Sequence, residues 1–196
     1  MREKLKLLTD YLTLGVDSYK TEISTTKNII NQLHIELVFL IDLRSNKFEW
    51  TGKSYPTFSQ QNGLVRITDL KKHFFDLDDV GKVMILGCHD LTIFNPRSQT
   101  AKGWRQEVNK AFKDLADKEK PVCVLQHPHT TVKVRTWLNA WSRLNELLPS
   151  LTRYASAGRY YDSDRDPTTY DSLNAVLHDT KRGNTLDFVV RRINTI

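Results

Sequence analysis

Val83-Met84-Ile85-Leu86-Gly87-Cys88-His89-Asp90-Leu91 (VMILGCHDL) stays apolar for its first four residues and then turns polar. The stretch from Val122 to Thr131 (VCVLQHPHTT) does the same. Short, β-branched apolar runs that stop abruptly at polar groups are what strands buried on both faces look like. The segments around them have a helical period. Val108, Phe112 and Leu115 share one face of 103–118, and Trp137, Trp141, Leu144 and Leu148 form one stripe along 133–148, ended by Pro149. RYASAGRYY (153–161) reads as a third strand, TYDSLNAVLHDTK (169–181) as a helix stopped by Gly183, and TLDFVVRRI (185–193) as a last strand.

From residue 82 the order is therefore strand, helix, strand, helix, strand, helix, strand. That alternation predicts an α/β fold: a mostly parallel open sheet with helices on both faces, a flavodoxin-like or similar three-layer arrangement. ELVFLIDL (36–43) adds a buried strand, and KFEWTG completes a hairpin with it through the turn Arg44-Ser45-Asn46-Lys47. GKSYPTFSQQNG (52–63) is loop by composition. Leu64 to Ile67 suggests a short strand, and Thr68-Asp69 caps a short helix. Leu5, Leu8, Leu12, Ile23, Ile30 and Leu33 suggest two helical pieces broken at Gly15, so residues 1–33 are expected to be a helical N-terminal segment of one domain spanning 1–196.

Hydrophobic residues make up 39% of the chain and charged residues 27%, an ordinary globular balance that excludes a disordered chain. With no long apolar run and no signal-peptide pattern at the N-terminus, the expectation is a cytoplasmic protein without a membrane partner. Cys88 and Cys123 lie at the ends of apolar runs and read as buried thiols rather than a disulfide. Lys and Arg outnumber Asp and Glu by 29 to 23, a net charge of +6 that suits an anionic partner: a nucleotide, a phosphate or a nucleic acid. There is no run of five basic residues, as a dedicated electrostatic nucleic-acid binder would carry.

In an open parallel sheet, ligands bind beyond the carboxyl ends of the strands. The polar residues of this chain gather at those ends. His89 and Asp90 follow one strand, His127, His129 and Thr130 the next, and Ser156 and Arg159 a third. Asp42 and Arg44 would join them if strand 36–43 ran parallel in the same sheet. His34, His73 and His178 read as ordinary helix or loop residues. Three kinds of chemistry fit this rim. His89, Asp90, His127 and His129 are ligand types for a divalent metal (zinc, manganese or magnesium), which would activate water. Arg97, Ser98, Thr130, Ser156 and Arg159 suit a phosphate group, held by arginine forks and helix starts. In either case the imidazoles also supply general acid and base at neutral pH.

The third kind is a nucleophilic thiol. Gly87-Cys88-His89 at a strand end resembles the Cys-His dipeptide at the nucleophile elbow of the class I glutamine amidotransferase-like proteins. The resemblance implies a reactive Cys88. It departs from that pattern at Asp90, where a small residue is usual, and in the long loop that separates the dipeptide from the next helix.

Together these readings predict a hydrolase of a phosphate-containing or nucleotide-like substrate, centred on His89, Asp90, His127 and His129. The other class of function is a non-catalytic module that senses a nucleotide or binds nucleic acid at the same rim. A structural role is a third, with the N-terminal helices pairing two copies into a homo-oligomer. No P-loop, GxGxxG, HExxH or CxxC motif occurs, which speaks against kinase-like, standard dinucleotide-binding, zincin and zinc-finger functions.

Overall fold

The computed structural model describes residues 2–18, 34–57, 60, 63–127, 134–159 and 185–190. Two sheets organise them. Strands β1 (Tyr11–Asp17), β2 (Glu36–Asp42) and β3 (Phe48–Gly52) form an antiparallel sheet in the order β1-β2-β3. Strands β4 (Phe74–Leu77), β5 (Gly81–Gly87), β6 (Cys123–His127), β7 (Arg153–Arg159) and β8 (Thr185–Val190) form a second sheet in the order β4-β5-β6-β7-β8. There β4 is antiparallel to β5, and β5 to β8 run parallel. The described α-helices are α1 (Arg2–Lys6), α2 (Trp104–Glu119) and α3 (Val134–Leu147).

The apolar runs behave as read. Val83, Met84, Ile85 and Leu86 of β5 are all fully buried, and alternation sends them to opposite faces. Met84 and Leu86 meet Val124 of β6, Phe112 and Ala116 of α2, and Ala140 and Leu144 of α3. Val83 and Ile85 meet Val38 and Leu40 of β2 and Phe75 of β4. Helix α2 ends where Lys120 takes a left-handed conformation (φ 50°) and Pro121 follows.

This arrangement overturns the expected mostly parallel sheet with helices on both faces. The larger sheet is mixed, and both long helices pack on one of its faces. Parallel strands that follow each other in order send every right-handed crossover over the same side. The other face is covered by the antiparallel sheet, so the layers are helix, mixed sheet and antiparallel sheet.

The expected helical N-terminal segment is also corrected. Helix α1 has five residues, and YLTLGVD is strand β1, paired with β2 through Leu12↔Ile41, Leu14↔Phe39 and Val16↔Leu37. Leucines in this stretch satisfy both a period of 3.6 and a period of 2. The unpaired edge of β2 selects the second. The N-terminal helices expected to pair two copies are therefore absent from residues 7–18, and residues 19–33 lie outside the described residues.

The hairpin β2–β3 forms as read, but in the separate sheet, so Asp42 and Arg44 do not join the rim. Asp42 instead caps its own turn, accepting from Ser45 Oγ at 2.7 Å, and that bond holds its carboxyl below the usual range. Arg44 pairs with Asp79 at 3.4 Å and with the Tyr11 hydroxyl. Among residues 64–67, Leu64 alone bridges, to His34. The helix read over 169–181 lies outside the described residues.

Candidate active site

Strand β5 ends at Gly87 because another backbone crosses there. A Cβ on Gly87 would lie 3.0 Å from Lys53 Cα and 3.1 Å from Asp90 Oδ2. The crossing segment is 51–56, Thr-Gly-Lys-Ser-Tyr-Pro, and every residue in it is buried. A buried irregular segment must place its N–H groups somewhere. Asp90 supplies the acceptors: its Oδ1 accepts from Ser54 N (3.0 Å) and Tyr55 N (2.7 Å), and its Oδ2 from Gly87 N (3.0 Å).

His73 closes the same seam from below. Its Nδ1 lies 2.7 Å from Ile85 O, its Nε2 lies 2.7 Å from Ser54 Oγ, and its ring packs against Phe112. Burial pushes the Asp90 carboxyl up and the His73 ring down, and their mutual attraction opposes both shifts. Next to them Lys53 is 1% exposed, and its Nζ pairs with Glu36 Oε2 (2.8 Å) and donates to Gln60 Oε1 (2.7 Å). Gln60 Nε2 in turn donates to Glu36 Oε1 at 2.9 Å, closing a three-membered polar ring.

His89 stands in front of this frame. It precedes a 3-10 turn, Asp90–Phe94, and its ring lies parallel to that of Tyr55, centroids 6.1 Å apart. Burial, together with the positive charges of Lys53 and Arg105, lowers its pKa to about 4. Neither ring nitrogen has a hydrogen-bond partner among the described residues. Arg105, in the first turn of α2, places its guanidinium 4.3 Å from the Tyr55 ring centre and donates twice to Pro56 O, at 2.8 and 2.6 Å. Trp104 lies beside Tyr55, and Arg66 stacks on its indole at 4.2 Å.

The other rim residues divide. His127 ends β6 on the side facing the small sheet. Its Nε2 lies 2.8 Å from Thr13 Oγ1, and Gly15 leaves room for the ring, since a Cβ there would be 3.3 Å from Nδ1. Burial alone lowers its pKa to about 4. Gln126 ties the strand ends together, donating from Nε2 to Cys88 O (3.1 Å) and accepting from the Tyr154 hydroxyl (2.8 Å). Ser156, opposite Gln126 in the register, is buried. Ser98 faces inward, donating to Ile93 O and accepting from Lys113 Nζ at 3.0 Å. Arg97 is exposed, and its backbone N–H donates to Asn95 Oδ1. Arg159 is the last residue of β7, and His129 and Thr130 lie outside the described residues.

Asp90 and Cys88 are placed as follows. Both Asp90 oxygens are taken by backbone N–H groups, and among the described residues no three His, Cys, Asp or Glu side chains gather as metal ligands. The elbow resemblance also loses its geometry. A 3-10 turn follows Cys88-His89, and α2 begins only at Trp104. The sequence pattern does not mark Lys53, Ser54, Tyr55 or His73 as site residues. The bonds that recruit Ser54 and Tyr55 reach across 36 and 35 residues, beyond any local pattern.

The assembly sets a neutral imidazole beside two cations, Lys53, already paired with Glu36, and Arg105. Compared with protein-family models, curated proteins and solved structures, the chain matches none.

Proposed function

We propose that the chain is a hydrolase of phosphate-containing or nucleotide-like substrates and that His89 is its proton acceptor. The observation that carries this reading is the His89 ring: half-buried, held neutral, with neither nitrogen bonded among the described residues, and flanked by Lys53 and Arg105. A base with a pKa of about 4 accepts protons poorly at neutral pH. An anionic substrate bound beside it would offset the two positive charges and raise that pKa, so the base would strengthen when substrate is present. Asp90 and His73 act as positioning residues that fix the 51–56 segment behind His89. Cys88 and Cys123 form no disulfide, which fits a reducing, cytoplasmic setting.

The test uses the full chain and a phosphoester panel: p-nitrophenyl phosphate, bis-p-nitrophenyl phosphate and nucleoside triphosphates. Turnover that falls at least about 100-fold in His89→Gln, with the circular dichroism spectrum unchanged, supports the assignment. Turnover unaffected by that substitution, or no turnover with any ester, overturns it. Metal analysis of protein purified without chelator separates the two ways of activating water. Stoichiometric metal lost in His127→Ala/His129→Ala would place a divalent ion at the rim, and its absence would leave His89 to act alone.

A further inference from the structure

The antiparallel sheet is apolar on both faces. Val38 and Leu40 point inward onto β5. The register puts Leu14, Val16, Leu37, Phe39, Phe48 and Trp50 together on the outer face, where Phe48 is 65% exposed and Trp50 41%. A groove of about 480 Å³ runs along this face between Phe39, Phe48 and Trp50 and the chain at 65–69, with Arg66 and Lys72 on its rim. Uncovered apolar surface of this kind marks a binding face.

The cations select the occupant. Lys72 Nζ lies 4.3 Å from the Trp50 ring centre, Arg66 lies 4.2 Å from that of Trp104, and Arg105 lies 4.3 Å from that of Tyr55. Arg66 both lines the groove and stacks on Trp104, beside which lie Arg105 and the buried ring of Tyr55, itself stacked on His89. Each of the two cations of the groove thus sits on an aromatic ring, Lys72 on Trp50 and Arg66 on Trp104. Asp69 is the one carboxylate among the described lining residues, and its Oδ1 accepts from Lys71 N. Aromatic faces interleaved with fixed positive charge suit unpaired bases on a phosphate backbone. A duplex keeps its bases stacked and would meet the cations alone.

We infer that this face binds single-stranded nucleic acid, its bases stacked on Phe48 and Trp50, its phosphates on Lys72 and Arg66, and its path leading along Trp104 to His89. The path to His89 rests on the hydrolase reading, whereas binding in the groove stands apart from it.

Fluorescence anisotropy with labelled oligo(dT) and oligo(U) of about 15 nucleotides tests this, with a duplex of equal length as control. The expected result is at least about ten-fold preference for single strands and about ten-fold weaker binding in Trp50→Ala and in Arg66→Ala. The two surface variants should keep the parent circular dichroism spectrum. No binding, equal affinity for duplex, or indifference to Trp50→Ala would overturn the inference. A dimer that Trp50→Ala dissociates, with no oligonucleotide bound, would also overturn it and give the face to a second copy. Single strands bound without any hydrolysis would keep the inference and remove the hydrolase reading. Hydrolysis of small esters without oligonucleotide binding would do the reverse.

Discussion

At the residue scale, each Asp90 oxygen accepts from the backbone, two N–H groups on Oδ1 and one on Oδ2. An asparagine can replace only one of those oxygens and would set an amide N–H against another donor. Asp90→Asn should cost about 3 kcal/mol in urea unfolding, since a bond to a charge is lost and a buried donor is left unmet. A variant of parental stability would contradict this placement. His127 gives a cleaner pH test, because burial alone moves it. Its folded pKa is about 4 and its unfolded pKa 6.5, so as pH falls through that window the unfolded chain takes up a proton that the folded chain refuses. Stability is lost over that range and then levels off. Relative to His127→Asn, the parent should lose on the order of 2 kcal/mol between pH 7 and pH 4, a figure reduced for the ring's partial exposure. A constant difference would show that the ring is not held neutral. The sequence made Asp90 legible as important from its place beside His89. It gave no sign that Asp90 faces inward, because its donors lie on a segment that composition alone reads as loop.

At the element scale, strand ends and helices were readable wherever one period dominated. Strands β5, β6 and β7 and helices α2 and α3 fall within a few residues of their apolar patterns. Strand β1 was not readable, because its leucines fit two periods and the deciding term is pairing with β2. Nor was segment 51–56, whose burial depends on Gly87. In Gly87→Ala the new methyl would press on Lys53 Cα, which is backbone and cannot rotate away. The substitution should cost about 2 kcal/mol and displace the segment behind His89. Thermal unfolding measures the cost, and parental stability with parental turnover would refute the close crossing.

At the scale of the whole molecule, alternating strands and helices predicted a parallel sheet but not its strand order. Helices on two faces and helices on one face share the same linear sequence of elements. What separates them is the order of neighbours, set by which apolar face finds a cover. Here the antiparallel sheet covers the face opposite the helices, the seam between the two sheets carries the His127–Thr13 bond, and His89 lies where segment 51–56 crosses the end of β5 beside α2.

That seam has a kinetic consequence. The His127–Thr13 bond joins residues 114 apart in the chain, and Asp90 reaches back 36 residues to Ser54. Closing such long loops is slow, whereas α2 and the hairpins β2–β3 and β4–β5 depend on neighbours. On refolding from urea, the helical circular dichroism signal should return before the fluorescence of Trp104 (the other tryptophans replaced by phenylalanine), whose indole packs beside Tyr55 of the docked 51–56 segment, and any catalytic activity should follow the later phase. Simultaneous recovery of both signals would mean that the sheets dock as the helices form. A slow seam would leave the apolar inner faces of both sheets open to other chains during synthesis, so the assembly of the site would coincide with the period of greatest risk of aggregation.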